Sequence, residues 1–184
     1  MRIIAGIARG RTIQAPEGMN TRPTLDRVRE NLFNMLQGRI AGSRVLDLFA
    51  GSGALSMEAL SRGAQSAVLV DISAQAHKIQ IQNAQNLGFF EQCRILHVDW
   101  KKALELLAAE QAVFDLVFLD PPYKLTDLSQ VTQLMAEKGL IHEDSLVIVE
   151  HDFKEQITVC PALSLQKQRK YGIVGVSIYQ LSPE

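Results

Sequence analysis

Phe114-Asp-Leu-Val-Phe-Leu-Asp-Pro-Pro-Tyr123 is the stretch that decides the fold. Five of the six residues from Phe114 to Leu119 are apolar, as expected of a strand buried on both faces at the centre of a parallel sheet. Pro121 and Pro122 have no N–H to give to a ladder, so the strand stops at Asp120. The loop beyond carries one carboxylate (Asp120), carbonyls that no ladder uses, and the ring of Tyr123. Ligands of open α/β sheets bind just outside the carboxyl ends of the strands. Such a corner suits a planar amine, with acceptors for its N–H groups and a face to stack on. The same four residues also fit a strand that ends in a proline-rich turn capped by Asp120, so the flanking chain has to separate the two.

Working outward, strand and helix alternate on both sides. Upstream, residues 45–49 form an apolar strand interrupted by Asp47, and Gly51-Ser52-Gly53 turns into a helix over 54–61. Residues 67–70 are the second strand, ending at Asp71, and a helix over 74–87 is stopped by Gly88. The third strand, 94–98, ends at Asp99-Trp100, and Ala103, Leu104, Leu107 and Ala108 mark the helix after it. Downstream, Leu128, Val131, Leu134 and Met135 keep helical spacing up to Gly139, and 145–149 is a fifth strand. Residues 163–170 and 173–180, joined at Gly172, read as an antiparallel pair. This alternation predicts an α/β fold with helices on both faces of a parallel sheet. A dinucleotide-binding fold would continue with another βαβ unit. The closing hairpin predicts instead a seven-stranded, mostly parallel sheet with one antiparallel strand.

Ahead of that sheet lies a different composition. Residues 1–44 hold eight arginines, no lysine and three acids, a net +5 against −6 for the other 140 residues. A basic arm on an acidic body is a local surface for a polyanion, and guanidinium forks suit phosphates. Residues 2–13 read as two short strands around a turn that Gly6 and Gly10 allow, and 14–23 as loop. Thr24 can cap a helix whose Leu25, Val28, Leu32, Met35 and Leu36 share a face, and which Gly38 closes. The organisation expected is one domain over 1–184: a basic hairpin and loop (1–23), a helix (24–38), and the sheet (44–184).

A chain of 184 residues, 47% hydrophobic and 21% charged, has enough apolar content for one ordinary globular core. No apolar run approaches the roughly 18–20 residues that cross a bilayer, and the N-terminus has no signal-peptide pattern, so the expected location is the cytoplasm. Cys93 and Cys160 are isolated, and His77, His97, His142 and His151 show no ligand spacing, so no metal site is expected.

Three further strand ends add to the opening corner. Gly51 and Gly53 let the backbone approach a ligand at a helix N-terminus, although the spacing lacks the third glycine of a dinucleotide fingerprint. Asp71 lies twenty residues after Gly51, where a carboxylate meets ribose hydroxyls. Asp99-Trp100 can flank an adenine. Each alone has a plain structural reading: a tight turn, a strand-end cap, a helix cap. Acids closing four successive parallel strands make a pattern.

Asp47-x-Phe49-x-Gly51-x-Gly53, Asp71, Asp99 and Asp120-Pro-Pro-Tyr123, in that order, resemble the class I (Rossmann-like) S-adenosylmethionine-dependent methyltransferases that modify exocyclic amino groups. Thr21-Arg-Pro-Thr-x-x-Arg-Val-Arg-Glu-Asn-Leu-Phe33, the arginine-rich hairpin and the Tyr171-Gly172 hairpin narrow the resemblance to bacterial small-subunit (16S) rRNA guanine-N2-methyltransferases of the RsmD type. The resemblance covers nearly the whole chain. It implies S-adenosyl-L-methionine as cofactor, with Asp47, Phe49, Gly51 and Gly53 around its methionine part, Asp71 on the ribose, Asp99 on the adenine amino group and Trp100 beside the ring. It implies that Asp120 and the Pro121 carbonyl accept from guanine N2, with Pro122 and Tyr123 completing the catalytic loop and Tyr123 stacking on the base.

The implied substrate is a guanine of 16S rRNA in an assembled or nearly assembled small ribosomal subunit, looped out or flipped, since a paired base cannot reach the loop. The implied enzyme acts as a monomer. Arg2, Arg9, Arg11 and Arg22 are the expected phosphate contacts. Alternative acceptors are adenine N6 of DNA and a protein amide; a non-catalytic RNA-binding assembly factor is the alternative outside enzymology.

Overall fold

Val45 and Leu46 are neighbours in the chain, both fully buried, and they belong to two separate apolar layers. That follows from the two-residue period of a strand with both faces covered. The computed structural model describes residues 1–18, 23–122 and 124–183, with the backbone alone at Pro23 and Thr24. Its strands are β1 (Arg44–Asp47), β2 (Ser66–Asp71), β3 (Cys93–His97), β4 (Phe114–Leu119), β5 (Ile141–Asp152), β6 (Leu163–Tyr171) and β7 (Val174–Leu181). They form one seven-stranded sheet in the order β3-β2-β1-β4-β5-β7-β6. β7 alone runs against its neighbours, which is the expected closing hairpin.

The helices α1 (Pro23–Met35), α2 (Ala54–Ser61) and α3 (Ala74–Leu87) cover one face, and α4 (Trp100–Ala109) and α5 (Ser129–Glu137) the other. On the first face Phe33 of α1 meets Phe118 of β4 with ring centroids 5.8 Å apart. On the second, Leu104 and Leu107 of α4 and Val131 and Met135 of α5 pack with Val117 and Val149. Successive connections carry the chain outward from β1 to β3 and then from β4 the other way. The topological switch therefore falls between β1 and β4, where such sheets open a crevice.

Helix α1 begins at Pro23, one residue before the expected cap Thr24, which lies inside the helix. Proline is favoured in a first turn because its missing N–H has no intrahelical partner there. The helix also ends at Met35, and Gly38 (φ +85°) belongs to the turn that follows rather than to the helix end. Strand β5 is longer than its apolar run. Phe114 pairs with Ile141 at one end, and Glu150, His151 and Asp152 pair with Val176, Gly175 and Val174 at the other. Partners from distant sequence extend it.

The N-terminal hairpin has a single antiparallel bridge, Arg2 to Thr12, with Ile3 N–H donating to the Arg11 carbonyl at 2.9 Å. It lies against α2. Ile3 and Ile13 are buried beneath it. The Glu58 carboxylate, wholly buried, accepts from the Ile4 and Ala5 N–H groups at 2.9 and 3.0 Å and from Arg62 Nε at 2.9 Å. Gly6 sits so close that a Cβ there would fall 1.9 Å from the Ser61 carbonyl oxygen, so glycine serves the docking as well as the turn.

Candidate active site

At the switch point the strands end in a cleft of about 570 Å³, a volume typical of small-molecule sites. Residues from β1, β2, β5 and the segments after β3 and β4 meet there: Asp47, Asp71, Glu150, Asp99 and Asp120. Phe49, Gly51, Trp100, Pro121 and Pro122 line it as well. Nine of the expected site residues, spread over residues 47–122, thus share one cavity with Glu150. Gly53 does not face it. Its φ of +79° starts α2, and a Cβ there would lie 2.7 Å from Leu69 Cδ2, so it shapes the turn from behind. Tyr123 and Arg22 lie outside the described residues. Arg2, Arg9 and Arg11 are exposed on the hairpin; Arg2 Nη1 donates to the Gly10 carbonyl at 2.9 Å and an Arg11 Nη to the Asn86 carbonyl.

The turn after β1 is held from two sides. Gly51 N–H donates to Asp71 Oδ2 at 2.8 Å, and Gln80 Nε2 donates to the Gly51 carbonyl at 2.8 Å. Gly51 has a φ of +54°, and a Cβ built on it would meet no atom within 4 Å. The backbone thus leaves a cradle at the cleft wall. Asp71 Oδ1 also accepts from Ser73 N–H at 2.9 Å, which fixes the carboxylate plane while each oxygen retains a lone pair. Ile72 beside it is 74% exposed, an apolar side chain on the cleft wall. Asp99 is both things at once: its Oδ1 caps α4 through Lys102 N–H at 2.9 Å, and it lines the cleft next to Trp100.

The carboxylates are not ordinary ones. Asp47 is buried, with Oδ2 accepting from Ser56 Oγ at 2.8 Å and Oδ1 unpartnered among the described residues. Burial pushes its carboxyl up to about 7 against the lowering effect of Ser56. Asp120 opens onto the cleft yet stands deep between its walls. That enclosure raises its carboxyl well above the usual range, with Glu150 and then Asp47 adding like charge. Burial raises Glu150 as well. Register explains the Asp120–Glu150 pair: Leu119 of β4 pairs with Val149 of β5, so the next residues of two parallel strands stand side by side.

An unpartnered buried acceptor beside a glycine cradle fits the amino-acid end of S-adenosylmethionine, a fixed carboxylate one strand over its sugar, and an exposed apolar side chain its base. Comparison with known proteins gives the same direction. The family described as conserved hypothetical protein 95 matches residues 1–180. The Escherichia coli K12 protein named ribosomal RNA small subunit methyltransferase D is 35% identical over 181 residues, covering 98% of this chain and 89% of that one. The Haemophilus influenzae protein of the same name is 35% identical over 183 residues, covering 98% and 93%. This chain belongs to the ribosomal RNA small subunit methyltransferase D family.

The solved structure of Escherichia coli yhhF superposes with a TM-score of 0.84 at 35% identity, covering 100% of this chain and 99% of that one. Two side chains of this methyltransferase-family cleft were not anticipated from sequence. Glu150 carries the same signal as the other acids, a carboxylate directly after an apolar strand, and was legible by that rule. Arg29, on α1, is 5% exposed and lines the cleft beside Leu25 and Met1. Its Nη2 donates to the Arg2 carbonyl and to Asp26 Oδ1 at 3.2 Å, with Nε 3.8 Å from Glu58 Oε2. Burial lowers its pKa, and the charges of Glu58 and Asp26 oppose that. Among the described residues no cluster of His, Cys, Asp and Glu could hold a metal ion, and no helix is long and apolar enough to cross a membrane.

Proposed function

We propose that this protein transfers a methyl group from S-adenosyl-L-methionine to the exocyclic N2 of a guanine in 16S rRNA, on an assembled or nearly assembled small ribosomal subunit. The single observation that carries the reading is the shared cleft. The Asp120-Pro121-Pro122 corner and the Gly51–Asp71 cradle stand on opposite sides of the switch between β4 and β1. A base held at one faces a cofactor held at the other.

The cofactor supplies an activated methyl on a sulfonium, so the residues have to position and stabilise. Guanine N2 is a weak nucleophile because its lone pair is delocalised into the ring. Asp120 and the Pro121 carbonyl accept its two hydrogens, which favours a localised lone pair and stabilises the positive charge that grows on nitrogen. Rigid prolines hold that alignment at near-attack distance. As the N–C bond forms and the S–C bond breaks, nitrogen becomes cationic, and it sheds a proton to Asp120 or to water. Asp71 holds the ribose hydroxyls, Asp99 and Trp100 the adenine, and Asp47 the α-ammonium of the methionine part. Tyr123 stacks on the base. Arg2, Arg9 and Arg11 of the basic hairpin, together with Arg22, contact RNA phosphates, and the chain works as a single-domain cytoplasmic monomer.

The test uses purified protein, labelled S-adenosylmethionine and small subunits from cells lacking the gene. N2-methylguanosine is the expected product in nucleoside mass spectrometry, and Asp120→Ala lowers the rate on the order of 100-fold or more. Absence of N2-methylguanosine, or N6-methyladenine in its place, overturns the reading.

A further inference from the structure

The cleft is unusually one-sided in charge. Five carboxylates line it, and among the described residues there Arg29 is the only basic side chain. A sulfonium and an ammonium are at home in such a field. The α-carboxylate at the same end of S-adenosylmethionine is not, and it needs a cation to enter. We propose that Arg29 is the anchor for the cofactor's α-carboxylate. The inference rests on the cofactor reading above and names the residue that holds this group.

Three observations support it. Arg29 is 5% exposed, and an arginine so buried is kept where a charge is required rather than where packing alone is. Its orientation is imposed by its neighbours: Nη2 is held by the Arg2 carbonyl and by Asp26 Oδ1 at 3.2 Å. Among the described residues Nη1 carries no hydrogen bond and is the donor open to a ligand, whereas Nε is enclosed on the Glu58 side. Nε is buried with no hydrogen bond among the described residues, and Glu58 Oε2 stays 3.8 Å away because Glu58 is already taken by the Ile4, Ala5 and Arg62 N–H groups. A planar fork with donors left over, fixed at the wall of an acidic cleft, is the shape that binds a carboxylate. The α-carboxylate and the basic hairpin then share one guanidinium, since the Arg2 carbonyl that Arg29 holds belongs to that hairpin.

The experiment compares three ligands by calorimetry on the full-length protein: S-adenosylhomocysteine, its decarboxylated analogue, and 5′-methylthioadenosine, which lacks the whole amino-acid end. Wild type binds S-adenosylhomocysteine more tightly than the decarboxylated analogue by about tenfold or more. Arg29→Gln removes that advantage and leaves 5′-methylthioadenosine affinity within about twofold. Arg29→Lys, which keeps charge without the fork, retains part of it and serves if the glutamine variant does not fold. Equal weakening of all three ligands in the variants shows a purely structural role and overturns the anchor. An unchanged preference for the carboxylate in a folded variant does the same. Wild type that binds none of the three overturns the cofactor reading itself, and the anchor with it.

Discussion

Asp120 and Glu150 stand at the ends of adjacent parallel strands, and neither can ionise without regard to the other. Enclosure raises Asp120 first, and the Glu150 charge raises it further. In the proposed reaction the ionised Asp120 is the form that stabilises the charge growing on the base nitrogen and can take its proton, so activity is expected to rise as pH carries it into that form. Replacing Glu150 with Gln removes a like charge at nearly constant volume, and Asp120 then ionises at lower pH. The acid-side limb of the kcat/KM profile is expected to move to lower pH in Glu150→Gln. A limb that stays in place would show that the two carboxyls do not interact. Asp120 was recognisable in sequence because two prolines mark the strand end. Glu150 also follows an apolar run, 145–149, but no chain-breaking residue comes after it, and β5 continues past it on pairing with β7.

At the scale of elements, the turn from β1 into α2 has two glycines with separate duties. Both have positive φ, +54° at Gly51 and +79° at Gly53. At Gly53 an added Cβ meets Leu69 in the core, whereas at Gly51 it points into open space. Gly53→Ala should therefore cost stability, about 2–4 kcal/mol from backbone strain and overpacking together. Gly51→Ala should cost only about 1–2 kcal/mol of strain, and instead weaken S-adenosylhomocysteine binding by filling the cradle. Denaturant melts and calorimetry on the two variants separate the cases; equal loss of stability would refute the division. The helices over 54–61 and 74–87 were legible in sequence, since Gly53 opens the first, and Ser73 and Gly88 bound the second. The start of α1 was not, because Pro23 and Thr24 both carry N-terminal signals, and local sequence does not rank them.

For the whole molecule, the decisive relation is between the basic hairpin and the cleft. Glu58 and Ser61 of α2 fasten residues 4–8 to the body, and Met1 reaches the cleft wall. In the proposed reading, RNA bound along Arg2, Arg9 and Arg11 would be led toward Asp120. Neutralising these three with Gln should lower the slope of log K against log salt by roughly two to three, while S-adenosylhomocysteine affinity is unchanged. An unaltered slope in filter binding would remove the hairpin from the RNA interface.

Strand count, the parallel alternation, the closing hairpin and most of the acids at strand ends were determined by sequence alone, because burial period and chain-breaking residues act over a few positions. Which acids face one another, and that Arg29 is buried, were decided only by tertiary structure. Helical spacing puts Arg29 on the same face as Leu25, Leu32 and Leu36, but a guanidinium is not expected inside from sequence; the hairpin packed over it encloses it, and that contact joins residues 27 positions apart. Charge and shape in a cleft are sums over distant segments, and no local pattern contains such a sum.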